Sequence, residues 1–314
     1  MTMQQFDPEL LKDIYVPPAG SHKGQNGKLM IIGGSQLFHA ASLWALQIAS
    51  KIVDMVFYSS VAENNLLVES LKKEFRNGII VRQEDIDAYI EEADAVLIGP
   101  GMVRTEHANG KWQMVNGKLE EILLVEDEGM QTYYLTKYLL ATYPKKKWII
   151  DAGALQMLEP EWLLPLNGNV ILTPHHQEFG RVFSPVIPNS FRNLQTKDKK
   201  MLKQVQHDTI KQVAKKYNCT ILLKGEKDIV CSPEQWVEIS GGNAGMTKGG
   251  TGDVLAGLVA ALACKNELYL AATAGSYFNK KAGEALFERV GYYFNASDLT
   301  EEIPQVMRTL LLPL

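Results

Sequence analysis

Cysteine is scarce in this chain: Cys219, Cys231 and Cys264 are the three among 314 residues, and none forms a Cys-x-x-Cys pair. An odd, scattered set gives no disulfide framework, so reduced thiols in a cytoplasmic protein are expected. Long apolar runs are missing as well. The longest, 254–264, is broken by Gly257 and falls far short of the ~20 residues a bilayer span needs. Excess positive charge is absent, since 32 basic against 36 acidic residues leave a net charge of −4. That argues against binding nucleic acid through general electrostatics, while leaving room for a local basic pocket. Residues 1–15 carry no basic stretch followed by an apolar one, so no secretory leader is read, and there is no internal repeat or low-complexity tract. The expected partners are small molecules, with no nucleic acid and no membrane.

Two familiar nucleotide loops are missing too. No G-x-x-x-x-G-K-[ST] stretch occurs, which removes the P-loop. Gly33-Gly34-Ser35 follows an apolar run but lacks the G-x-G-x-x-G spacing, so a dinucleotide-binding Rossmann turn is not expected there.

What is present is a regular alternation. Short apolar runs at 28–32, 55–59, 79–82, 95–98, 148–151, 170–172 and 220–223 read as strands. Segments of helical period at 40–53, 63–75, 130–142, 199–217, 252–263 and 268–287 separate or follow them. Strands with little polar alternation, interleaved with helices, predict an α/β fold: a mainly parallel sheet covered on both faces. In such folds ligands bind beyond the carboxyl ends of the strands. Residues 228–232 and 236–240 read instead as a hairpin leading into a loop at Asn243. The polar stretch 104–118 has no clear period and reads as a surface insertion leading into a helical segment.

The most informative stretch is Gly249-Gly250-Thr251-Gly252-Asp253, where a glycine-rich loop becomes a helix. Backbone N–H groups curled into one concavity, with the positive end of a helix dipole behind them, suit a phosphate. A carboxylate beside an anion site is placed to accept a proton from whatever attacks the phosphorus. The plainer alternative is that Asp253 merely caps its helix. Upstream, Lys224-Gly225 ends a strand, where it either meets a phosphate or is a solvated strand end. His175 and Glu178 follow the Thr173-Pro174 strand end. The histidine can donate to a ligand oxygen, or pack locally. The carboxylate either faces the same site or simply favours the first turn of a helix.

Taken in order, six motifs resemble the ADP/ATP-dependent NAD(P)H-hydrate dehydratases, a branch of the ribokinase-like superfamily, over about 28–283. They are Gly33-Gly34-Ser35, Gly99-Pro100-Gly101, Asp151-Ala152-Gly153, Thr173-Pro174-His175-His176-Gln177-Glu178, Lys224-Gly225 and Gly250-Thr251-Gly252-Asp253, with Gly241-Gly242-Asn243-Ala244-Gly245 between the last two. The resemblance implies a three-layer αβα, ribokinase-like fold in one domain, 1–314. Within it, 1–27 is an N-terminal extension too short for an epimerase domain, and about 104–147 is atypical of the family.

It further implies that Asp253 is the catalytic base and that Gly250, Thr251 and Gly252 form the anion hole. Lys224, Gly225, Glu226, Lys227, Asp228, Asn243, Gly245 and Gly252 would meet the adenine nucleotide. Ala40, Gly101, His175 and Asp253 would meet the substrate, and Glu178 would hold Mg2+ through water. ADP or ATP is the implied co-substrate and hydrated NADH or NADPH the implied substrate. A separate epimerase and a homo-oligomer, a tetramer by resemblance, are the implied partners. The chain departs from the family pattern at His39 and Val103, which replace glycines, at Gly153, which replaces an aspartate, and at Asp228, which replaces a threonine. Two other readings stay open: a ribokinase-like kinase of a vitamin or sugar alcohol, and a non-catalytic nucleotide-binding homologue.

Overall fold

The structure is a computed structural model that describes residues 5–73, 75–105, 117–184 and 199–312, with backbone only for 199–207. Its strands are β1 (Lys28–Ile32), β2 (Met55–Ser59), β3 (Ile79–Ile80), β4 (Ala95–Ile98), β5 (Lys147–Ile150), β6 (Val170–Leu172), β7 (Thr220–Leu223), β8 (Asp228–Cys231) and β9 (Trp236–Ile239). Among the described residues these nine form one sheet in the order β3-β2-β1-β4-β5-β6-β7-β8-β9. The first seven run parallel, and β8 and β9 add an antiparallel edge. The expected hairpin therefore continues the main sheet. The third strand is two residues long where four were expected, because it lies at the opposite edge with one partner only.

Helices α1 (Ala40–Ala49), α2 (Ala62–Leu71), α3 (Ile86–Glu92), α4 (Leu119–Leu123), α5 (Glu128–Thr142), α6 (Ala152–Gln156), α7 (His176–Val182), α8 (Lys199–Tyr217), α9 (Thr251–Ala263), α10 (Leu268–Val290) and α11 (Ala296–Leu311) complete the layers. Side chains alternate across a strand, so β1 feeds two cores. Leu29 and Ile31 pack with residues of α1, α9, α10 and α11 on one face. Met30 and Ile32 pack with residues of α3, α5 and α8 on the other. That double burial is why the strands read as continuous apolar runs.

Several elements were not legible in the chain. The sequence reading places nothing beyond 287, yet α11 runs over Ala296–Leu311. Asn295 and Asp298 form a reciprocal capping box at its start, and Leu299 and Ile303 are buried against the α1/α9/α10 layer. Pro304 sits inside this helix. The segment 104–147 supplies α4 and α5, and Leu135, Leu139 and Leu140 of α5 are core residues, so this part of the chain is the crossover from β4 to β5. Residues 106–116 of it lie outside the described residues. In the N-terminal stretch Gln5 bridges to Glu238 of β9, and Leu11 and Ile14 are buried.

Replacing Asn295 with alanine removes the acceptor for the Ser297 and Asp298 N–H groups. The expected loss is about 1 kcal/mol of stability, read as a lower urea midpoint with an unchanged slope.

Candidate active site

The winding of the sheet reverses between β1 and β4, and the loops after β1, β4, β5, β6 and β7 all open on the same carboxyl edge. Two cavities lie there. The first, about 670 Å³, is lined by Phe38, Ala41, Gly101, Val103, Gly153, Gln156, Glu178 and Asp253, among others. The second, about 780 Å³, is lined by Lys224, Gly225, Glu226, Asp228, Asn243, Thr251, Gly252, Asn279 and Lys280, among others. His175 lines both. The cavities thus adjoin at the start of α9, with Asp253 facing one and Thr251 and Gly252 the other.

The loop before α9 shows why its glycines are there. Gly250 is left-handed (φ +92), and a β-carbon on it would meet the Trp44 ring at 2.3 Å, so this glycine serves the fold. Gly252 differs: its φ is ordinary, and the nearest atom to an added β-carbon is Lys224 Nζ at 3.6 Å. Nothing among the described residues requires glycine at 252, so the missing side chain leaves room for whatever enters the cavity. The N-cap residue Gly250 offers no side chain to cap α9, whose positive end lies beside the cavity that Thr251 and Gly252 line. The Thr251 hydroxyl is already used, donating to the carbonyls of Met246 (2.6 Å) and Lys248 (2.9 Å), and its N–H reaches the Lys248 carbonyl at 3.4 Å.

The charges are arranged across three strand ends. Lys224 Nζ is 2.8 Å from Asp151 Oδ1, which also accepts from the Thr173 hydroxyl at 2.7 Å. Asp151 is fully buried. Burial works against the Lys224 charge, but Asp151, Glu178 and Asp253 outweigh it and hold the ammonium above the ordinary lysine range. Asp253 is pushed up to about 7, first by burial and then by the Asp151 charge, with Lys224 offsetting part of the rise. A carboxyl at that value can exchange a proton near neutral pH, which a simple capping aspartate has no need to do. Asp151 was legible only as a motif match, and its part in tuning Asp253 appears with the fold. Next to it Ala152 adopts φ +42, unusual for a side-chain-bearing residue, and it too lines the first cavity. Gly153 is accounted for by the Met102 carbonyl, 2.1 Å from where a β-carbon would stand.

His175 and Glu178 are tied to each other. Nδ1 of His175 accepts from the Gln177 and Glu178 N–H groups, while Glu178 Oε2 accepts from the His175 N–H at 2.9 Å and Oε1 from Gln156 at 2.8 Å. The pair caps α7 and also lines the cavities, and Nε2 of His175 lies 3.5 Å from Glu178 Oε1.

Other expected residues lie off the cavity walls or are held by bonds within the protein. Ala40, exposed at the start of α1, is off the cavity wall, which Phe38 and Ala41 form instead. His39 takes ordinary right-handed backbone and bonds Asn64, so glycine freedom is not needed there. Lys227 points away and pairs with Glu238 at 2.5 Å. Gly245 is held against the Phe294 ring, and its N–H donates to Asn243 Oδ1. Asn243 shapes the loop, donating to the Gly283 carbonyl at 2.7 Å. Asp228 is committed to the protein: it accepts from the Gly225 N–H (2.9 Å) and the Ser276 hydroxyl (2.7 Å) and lies 3.4 Å from Lys280 Nζ.

Lys280 and Asn279 went unnoticed in the chain, because a polar pair inside a long helix ordinarily faces water. Here both are buried. Lys280 Nζ donates to the Gly225, Glu226 and Gly241 carbonyls and so ties together the two loops of the second cavity. Asn279 Oδ1 is buried without a hydrogen-bond partner among the described residues.

A sequence profile described as NAD(P)H-hydrate dehydratase matches residues 29–305. The chain belongs to the NAD(P)H-hydrate dehydratase family. The bifunctional NAD(P)H-hydrate repair enzyme of Methanocaldococcus jannaschii is 32% identical over 305 residues, 95% of this chain and 51% of that protein. The chain thus spans about half the length of the first such relatives. The ADP-dependent (S)-NAD(P)H-hydrate dehydratase of Nitrosopumilus maritimus is 29% identical and is matched over 92% of this chain and 91% of its own. Two solved structures share the fold. A ribokinase-like superfamily protein from Enterococcus faecalis superposes with a TM-score of 0.77 at 21% identity, covering 99% and 97% of the two chains. The Bacillus subtilis ADP/ATP-dependent NAD(P)H-hydrate dehydratase co-crystallized with ATP/Mg2+ gives 0.73 at 22%, covering 99% of each. The expected three-layer, ribokinase-like architecture of this family is the one observed.

Two outcomes follow from the site. Gly252→Ala should leave the melting temperature unchanged or slightly raised, as alanine replaces a helical glycine, while calorimetric titration shows weakened ADP and ATP binding. Gly250→Ala should instead lower the melting temperature through the Trp44 clash; equal behaviour of the two variants would contradict this division. Titrated by carbon NMR, the Asp253 carboxyl should show a midpoint near pH 7, and Asp151→Asn should move it down, since it removes a like charge and releases Lys224 toward Asp253.

Proposed function

We propose that this chain dehydrates the S form of hydrated NADH or NADPH at the expense of ADP or ATP, restoring the dihydronicotinamide. It would act as a carbon–oxygen lyase. The observation that carries this reading is Asp253, neutral-poised and placed where a cavity beside the positive end of α9 adjoins a second cavity. The nucleotide fits the side of Gly252, Lys280 and Asn279, whose unpartnered amide oxygen suits an amino donor. The hydrated ring fits the side of Gly101 and Gly153.

Asp253 takes the proton of the ring hydroxyl as that oxygen attacks the terminal phosphorus. The N–H groups of the Gly250–Gly252 turn receive the charge on the transferring phosphoryl group. Lys224 stabilises the same region and keeps Asp253 deprotonated often enough to act. The ring nitrogen lone pair then expels phosphate, and loss of the neighbouring ring-carbon proton restores the double bond. The other product is AMP from ADP, or ADP from ATP.

Mg2+ fits this donor set as a companion of the nucleotide. Among the described residues there is no cluster of three His, Cys, Asp or Glu to cage a metal, but Glu178 lines the first cavity and its Oε2 accepts one hydrogen bond, from the His175 N–H, which leaves that oxygen a second lone pair. Glu178 would hold the ion through water, and the ion would supply charge neutralisation on the phosphates.

Two further partners belong to the proposal. One is an epimerase that converts the other hydrate form into the usable one, in keeping with the bifunctional names of the longer relatives. The other is a second copy of the chain. Leu37, Phe38, Leu66, Leu67 and Leu71 are exposed along α2 and the loop before α1, and apolar surface of this kind favours a homo-oligomer such as a tetramer. A cytoplasmic location suits this repair of a soluble metabolite.

The deciding experiment mixes the protein with hydrated NADH and either nucleotide and follows the return of dihydronicotinamide absorbance. One phosphate released per NADH formed is the expected stoichiometry; a stable phosphorylated product would mean a kinase. Asp253→Asn should slow turnover by about 10²–10⁴ with nucleotide affinity within a few-fold, whereas unchanged kcat would remove Asp253 from the catalytic role.

A further inference from the structure

The first cavity has two ends of opposite charge. At the strand-end side stand Asp253 and Glu178. Toward the rim stand Arg104, two residues past Met102, and Arg181, one helical turn beyond Glu178 on α7. Both arginines line the cavity and both are solvent-exposed. No ion pair engages either one among the described residues, although surface arginines elsewhere in the chain, Arg82 and Arg289, do pair with carboxylates. A guanidinium held at a cavity rim without a carboxylate is a ready partner for phosphate oxygens, which it can grip through two parallel N–H groups.

Spacing agrees with the chemistry. Positions three apart on a helix lie on the same side, and one turn advances about 5.4 Å along the axis. A hydrated ring seated at Asp253 would leave its ribose running outward along α7. The next charged group of a dinucleotide, the pyrophosphate, would then come to the rim.

We propose that Arg104 and Arg181 form the pyrophosphate subsite for the hydrated dinucleotide, separate from the cradle that holds the phosphates of ADP or ATP. This rests on the functional reading above and deepens it: the enzyme would select dinucleotides over smaller hydrated nicotinamides through these two side chains. They touch neither the ring nor the transferring phosphoryl group, so they contribute to substrate capture and leave the chemical step alone.

The test compares wild type with Arg104→Gln, Arg181→Gln and the double variant on two substrates. One is hydrated NADH; the other is the hydrate of reduced nicotinamide riboside, which has no phosphate. On hydrated NADH each single variant should raise KM about tenfold with kcat nearly unchanged, the scale of a lost charged hydrogen bond. On the riboside hydrate, wild type and variants should have the same kcat/KM. Fluorescence titration with the product NADH should show the same affinity loss without any turnover, and a weaker salt dependence in the variants. ADP affinity and melting temperature should not change. Wild-type kinetics on hydrated NADH in the double variant would overturn the subsite, as would an equal loss on both substrates. If the wild type itself fails to restore NADH, the functional reading falls instead, and NADH titration of the variants still decides whether the arginines bind the dinucleotide.

Discussion

Asp253 sits close to two other carboxylates and one ammonium, and the balance among these four charges governs the rest of the site. Burial pushes the Asp253 carboxyl up, Asp151 and Glu178 add to the rise, and Lys224 pulls it down. Lys224 in turn keeps its charge against burial through Asp151, 2.8 Å away, helped by Glu178 and Asp253. The members arrive from different places: Asp151 follows β5, Glu178 lies on α7 after β6, Lys224 follows β7, and Asp253 opens α9. A parallel sheet is what brings such strand ends to one edge, so the registers of β5, β6 and β7 set the chemistry of Asp253.

Around that centre the structure divides support from contact. The second cavity is held open by residues that do not face it freely. Asp228 fixes the Gly225 turn, Lys280 ties that turn to the Gly241 loop, and Asn243 ties the loop to α10. Asp228 is matched by Lys280, a buried lysine from α10. A buried carboxylate needs a partner, and removing one member would strand the other. Gly252 and Asn279 Oδ1, in contrast, have no internal task that the described residues reveal.

The first cavity follows the same logic. Met102 crosses over Gly153, Val103 stands in the wall, and Gln156 steadies Glu178. The departures at His39 and Gly153 thus have local causes, a bond to Asn64 and a close backbone approach. The strand end of the cavity carries Asp253 and Glu178, and Arg104 and Arg181 line it as well.

The chain by itself was enough for the layer order, the seven parallel strands and the Gly250-Thr251-Gly252-Asp253 turn. Those features are written in local signals: unbroken apolar runs, helical periodicity, and glycines where the backbone must curl. It was not enough for α11, whose apolar face has meaning only against α1, α9 and α10, or for the two-residue β3, whose length depends on having one neighbour. Nor could it separate Gly250 from Gly252, since only the position of the Trp44 ring tells a glycine the fold needs from one it does not. The roles of Lys280, Asp228 and Asp151 were hidden for the same reason. Whether a charged side chain is solvated or buried, and which partner it meets, depends on residues far away in sequence, and only the folded sheet brings them within reach of a hydrogen bond.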